Sequence, residues 1–162
     1  VGQGLRLHGH GIRLRQLLGP TEAQGEPAAL DVPCRRFLCV VCKAVVLVVP
    51  GMMLSRRRYS AAAIAQALGL FGLEMLSAAA VRRKTSTDKV LGFAAVASWV
   101  TLHRWCDDVR AGRLFPEVRR CPASFTRRQV AERAATTMSS RAPPPPHPSL
   151  IVCAFIGAGC VR

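Results

Sequence analysis

The chain has 162 residues, half of them hydrophobic but only 6% aromatic, and carries 23 Lys and Arg against 9 Asp and Glu for a formal charge of +14. That length fits one compact domain with tails, or two very small ones. So large a positive excess, with a pI near 11, argues for a polyanion as partner, either nucleic acid or an anionic membrane surface.

The charge is concentrated. Residues 34–84 hold nine basic side chains and one acid, whereas residues 1–33 hold three of each. The seven cysteines are odd in number and not spaced as a disulfide framework, and no leader with a continuous apolar stretch opens the chain. A reducing, cytoplasmic setting is expected. No segment reaches the ~20 apolar residues that span a bilayer: residues 40–53 are interrupted by Lys43 and Pro50, and residues 150–161 are too few. No membrane partner and no small-molecule substrate are expected.

In chain order, residues 5–18 alternate apolar and polar around Gly9-His10-Gly11, which predicts a short β-hairpin turning at those glycines. Residues 19–33, with Gly, Pro and acids, read as a loop. Residues 35–49 are β-branched and predict one or two further strands, interrupted by Cys39-Val-Val-Cys42 and stopped at Pro50-Gly51. The period then changes. Ser60 caps a helix over residues 61–70 with Ile64, Leu68 and Phe71 at helical spacing and Gly72 at its end. A second helix is predicted over residues 73–83, and a third over residues 89–96 after Thr87-Asp88. Ser98 is read as the cap of a helix over residues 99–111, with Trp99, Leu102, Cys106 and Val109 on one face and Gly112 as the C-terminal glycine. A last helix follows the capping-box string Thr126-Arg-Arg-Gln129, over residues 127–138. The proline run at residues 143–146 is expected to end ordered structure. The fold class is therefore α+β. The expected divisions are a β region at residues 1–54, a helical region at 55–120, an extra helix at 121–142, and a Pro-rich and apolar tail at 143–162.

Three sets of residues carry chemistry. Two thiolates on a tight turn can share one tetrahedral zinc, which makes Cys39 and Cys42 candidate metal ligands. A full site takes four ligands, and only Cys34, His8 and His10 are near in sequence. The alternative is two buried cysteines in an apolar strand. Arg56, Arg57 and Arg58 directly precede a helix cap, where guanidiniums and helix N-terminal amides together suit phosphate. The alternative there is a solvated charge run. On the helix over residues 99–111, the face opposite the apolar stripe offers Thr101, His103 and Arg104, as a recognition helix would. It equally fits an ordinary amphipathic helix, and Asp107 and Asp108 are expected to repel phosphate. Acids are few, and no H-E-x-x-H, P-loop or G-x-S-x-G string is present. No enzyme is expected.

The strings Arg35-Arg-Phe-Leu-Cys39-Val-Val-Cys42, Val49-Pro50, Arg56-Arg-Arg-Tyr-Ser60, Ser98-Trp-Val-Thr-Leu-His-Arg-Trp105 and Leu7-His-Gly-His-Gly11 resemble an uncharacterised bacterial family. Its members carry a zinc-ribbon-like knuckle followed by a helix-turn-helix, and are similar to the N-terminal DNA-binding parts of insertion-sequence transposases. The resemblance runs over residues 5–120 and thinly to residue 142. It implies that Cys39 and Cys42 are the second half of a four-cysteine ribbon, and that Arg56–Arg58 and the helix over residues 99–111 face DNA. The first C-x-x-C of that pattern is expected just ahead of Val1. Its lack here reads as a shortened chain or a ribbon without its metal. The expected function is a DNA-binding module. The alternatives are a protein-interaction module packing through the Ala-rich faces at residues 61–67 and 78–80, or a decayed product without a settled fold.

Overall fold

A computed structural model describes residues 6–88 and 98–160. The chain is α+β: strands β1 (Leu7–Pro20), β2 (Pro27–Cys39) and β3 (Val45–Val48) come first, followed by helices α1 (Ala61–Gly72), α2 (Ala78–Thr85), α3 (Val100–Arg110), α4 (Arg127–Ser139) and α5 (Leu150–Gly159).

The sheet is antiparallel in the order β1-β2-β3. β1 pairs with β2 from Leu7↔Cys39 to Pro20↔Pro27, so the hairpin closes over residues 21–26 and not at the glycines of residues 9–11. Those glycines form a bulge: the register slips between Gly9 and Ile12, with Gly11 at φ +85°, a conformation that glycine adopts without strain. The segment read as a loop over residues 19–33 is consequently strand for most of its length. Its prolines are tolerated because β3 pairs with β2 only from Arg35 to Leu38, which leaves the other side of β2 unpaired at Pro27 and Pro33.

α1 is the centre of the molecule. All twelve of its residues are buried, as expected of a helix that is apolar all round. Ser60 Oγ accepts from the Ala63 N–H at 3.0 Å, a side-chain cap that satisfies one of the helix's unpaired first-turn donors. α2, α3, α4 and α5 each contribute to the core around α1, including Val81, Leu102, Trp105, Val130, Met138 and Ile151. The second predicted helix starts five residues later than its apolar spacing suggested. Met75 has φ +59°, the turn there closes with Leu76 N–H donating to Leu70 O at 3.1 Å, and Ser77 is the side-chain cap of α2. The cap expected of Ser98 is likewise corrected: Trp99 is the N-cap of α3 and makes no side-chain cap bond. The capping box is present, with Thr126 N–H donating to Gln129 Oε1 at 2.8 Å and Gln129 N–H to Thr126 Oγ1 at 3.3 Å. The helix expected over residues 89–96 lies outside the described residues.

The largest correction is at the C-terminal end. The proline run does not end ordered structure: beyond it α5 buries Ile151, Val152, Cys153, Ala154, Gly157 and Ala158. A segment without polar periodicity reads as a tail, but the same lack of periodicity belongs to a helix buried on most sides. Among the described residues, no helix is long and apolar enough to cross a membrane.

Candidate nucleic-acid interface

The three arginines of the basic run do not share one environment. Arg56 adopts φ +58°, which sharpens the turn after Leu54 and sends its two successors in different directions. Arg57 turns to α3 and binds the Asp108 carboxylate. Arg58 turns to the sheet and donates to Gln16 Oε1. The bridge is closed from the sheet side by Arg15, whose guanidinium donates to Arg57 O at 3.3 Å. The expectation that these arginines sit at an open helix N-terminus needs correction. Residues 60–63 at the start of α1 are buried, and the Ala61 N–H donates to Met52 O at 3.1 Å. No free amide nest remains there for phosphate.

What the run docks against is the face of α3 that sequence spacing had singled out. Thr101, Arg104 and Asp108 fall at i, i+3 and i+7 and form one stripe of the helix. Arg104 is exposed and Thr101 half-buried. Asp108 holds Arg57 on one side and Arg113 on the other, the latter with Arg113 Nε donating to Oδ1 at 2.8 Å. The acid expected to repel phosphate is thereby neutralised by two guanidiniums. Its neighbour Asp107 points elsewhere and pairs with Arg127 at 3.0 Å. His103 stands apart from Arg104. It is half-buried, its ring 6.3 Å from that of Phe71. Burial first, then the charge of Arg127, holds its imidazole below the ordinary value, so it is neutral at pH 7. Arg113, Arg15, Gln16 and the clamping role of Asp108 were not legible. The contacts of Arg15, Gln16 and Arg57 join segments 42 to 51 residues apart, whereas Arg113 reaches Asp108 from five residues on, across the end of α3.

The Asp108 clamp gives a pH test. Burial pushes this carboxyl up, but hydrogen bonds and charge from Arg57 and Arg113 outweigh it, and the net shift is downward. A carboxyl depressed in the folded state contributes stability above its unfolded pKa of about 3.9, and that contribution is lost as pH falls through the folded value. Asp108→Asn is expected to cost about 2 kcal/mol at pH 7 and progressively less as pH falls below the unfolded value of about 3.9. Urea unfolding of both proteins across that range measures it; a difference independent of pH would exclude the clamp.

The Cys39–Cys42 segment is a tight turn between β2 and β3. Lys43 has φ +60° and its N–H returns to Cys39 O at 2.9 Å. The N–H groups of Cys42 and Val41, then the Cys42 thiol, lower the Cys39 thiol to about 7 against a smaller upward push from burial. This suits thiolate chemistry, and the two cysteines fit half of a zinc site. The neighbouring candidates are not brought to them. Cys34 lies on the opposite face of β2, its thiol directed at Met53 Sδ at 3.9 Å. His8 pairs with Leu38, and so shares that opposite face. Among the described residues, no three His, Cys, Asp or Glu side chains are grouped to hold a metal ion.

The Ala-rich face at residues 61–67 is wholly inside the core of the chain and offers nothing to a partner. Comparison with protein-family models, curated proteins and solved structures finds no match to this chain.

Proposed function

We propose that the chain binds duplex DNA through one continuous basic surface formed by the end of β1, the run Arg56–Arg58 and the outer stripe of α3. The observation that carries this reading is the bridge from Arg15 to the Arg57 carbonyl, from Arg57 to Asp108 and from Asp108 to Arg113. It fixes three otherwise separate basic segments to one helix face and leaves Arg56, Arg58, Arg104 and Arg113 exposed around it. Guanidiniums held in this way contact phosphates and position the helix. Thr101 and Arg104, a turn nearer the start of α3, are the side chains that would reach base edges. His103 contributes as a neutral imidazole at the flank. The resemblance to the DNA-binding parts of insertion-sequence transposases favours the same reading, with Cys39 and Cys42 as half of a structural zinc site at the far end of the sheet. A bound zinc would cross-link that end of the ribbon without taking part in DNA contact.

Binding to labelled random-sequence duplex across a salt series tests it. With about five phosphate contacts the affinity is expected to fall roughly 500-fold between 50 and 200 mM salt. Arg56→Ser with Arg58→Ser should reduce the slope by about two while leaving the fold intact, because Arg57 keeps its place on Asp108. A chain that melts cooperatively and binds no duplex at low salt would overturn the proposal.

A further inference from the structure

The two faces of the sheet are treated differently. One face carries Leu17 and Cys34, covered by Met53, with Val32, Leu47 and Val49 packed at its margin. The other carries the β2 residues Asp31, Pro33 and Arg35, whose β1 partners are Gln16, Leu14 and Ile12, and whose β3 partner at Arg35 is Val48. Apart from Arg58, which donates to Gln16 at the edge of this second face, nothing in the described residues covers it away from its base: Ile12 is 64% exposed, Leu14 63% and Val48 52%. Large apolar side chains left exposed on one face, Ile12 and Leu14 as neighbours along β1 and Val48 on the far side of Arg35, mark an interaction surface more often than a solvated one.

The arrangement of charge on that face selects its occupant. Asp31 and Arg35 are both exposed and stand on either side of the Leu14–Pro33 pair. Rotating a second copy by a half-turn about an axis crossing the strands at that pair sets Leu14 on Leu14 and puts each Asp31 opposite the other copy's Arg35. The face is therefore complementary to itself, as an isologous contact requires. Edge-to-edge association through β1 is disfavoured by the same reasoning. An antiparallel register centred on Leu14 would place Arg13 beside Arg15 of the second copy, a like-charge pairing. The β1 edge is also occupied at Leu18, which donates to Arg58 O at 2.7 Å and accepts from Ser60 N–H at 3.4 Å.

We infer that the chain forms a two-fold dimer by packing the Ile12–Leu14–Val48 faces of two sheets together, with paired Asp31–Arg35 contacts across the axis. Sheet-on-sheet packing of this type interleaves side chains from facing strands and leaves the opposite faces free. The inference is argued from other observations than the DNA reading, and the two surfaces meet at Gln16, which accepts from Arg58. Were both correct, the dimer would present two copies of the α3 surface, as a binding site with two-fold symmetry demands.

Sedimentation equilibrium of the full chain without DNA, over protein concentrations from about 1 to 100 µM, is the test. The wild type is expected to dimerise within that range. Leu14→Glu should abolish the dimer. Asp31→Arg and Arg35→Asp should each weaken it by about tenfold or more, since each turns two attractions into two repulsions. The double charge swap should restore it, an outcome that misfolding of either variant cannot mimic. A wild type that stays monomeric to 100 µM would overturn the inference. A dimer that single swaps weaken but the double swap does not restore would overturn it too. So would a monomer whose Leu14 instead drives binding to anionic lipid vesicles.

Discussion

Trp105→Ala is expected to remove about 3–5 kcal/mol of stability, a large part of the 5–15 kcal/mol that a domain of this size usually has. Trp105 is among the largest fully buried side chains and is the hub of three rings. It meets Tyr59 edge-on at 5.0 Å and Trp99 at 5.1 Å, while Tyr59 and Trp99 meet at 5.9 Å. Such edge-to-face contacts add to the area term. The loss reaches further than the cavity, because the same Tyr59 donates its hydroxyl to Ser86 Oγ at 2.7 Å and so links the start of α1 to the end of α2. Urea unfolding followed by far-UV circular dichroism measures the change through the midpoint at constant slope. Trp99→Ala provides the graded control, since Trp99 lies at 7% exposure at the edge of the same cluster. An equal or smaller loss at Trp105 than at Trp99 would show that the rings do not stack around Trp105.

That cluster also marks the boundary of what the sequence discloses. The apolar stripe of α3 was legible, and Trp99, Leu102, Cys106 and Val109 are all buried. So were the Ser60 cap, the capping box at Thr126 and the C-terminal glycine Gly112, which adopts φ +69°. Each is local, fixed by side chains within one helical turn. The elements that were misread have long-range causes. Gly9-His10-Gly11 carries the chemistry of a turn and of a bulge equally, and only the partner strand decides between them. The actual turn over residues 21–26 holds Gln24 at φ +61°, with its N–H donating to Gln66 Oε1 at 2.9 Å. That contact comes from a glutamine buried 42 residues away, which a local reading has no means to anticipate. The candidate interface divides in the same way. Arg56, Arg57, Arg58, Thr101 and Arg104 were visible as residue types in a pattern. Asp108 was read as an obstacle to phosphate because its neutralisation depends on Arg57 from a segment 51 residues earlier.

A substitution of a single hydrogen by a methyl group tests the docking of α5, the element least visible in the sequence. At Gly157 an added Cβ would lie 1.9 Å from Met138 O and 3.0 Å from Ala142 N. Both are backbone atoms, the first in the last turn of α4 and the second three residues beyond its end, so no side chain can swing away. The two segments must separate, and α5 carries Ile151, Ala154 and Ala158 into the core beside α1. Gly157→Ala is expected to cost about 3 kcal/mol. Two residues on, Gly159 has nothing within 4 Å of the same added atom. Gly159→Ala should be neutral or stabilising by a few tenths of a kcal/mol, as alanine is the better helix former near a frayed end. The pair differs in position by half a helical turn and not in chemistry. Opposite signs in thermal melts of the two variants would therefore locate the close crossing of α4 and α5, and a single shared transition in Gly157→Ala would show that α5 unfolds with the bundle. Equal, small effects would mean that α5 does not dock against the end of α4.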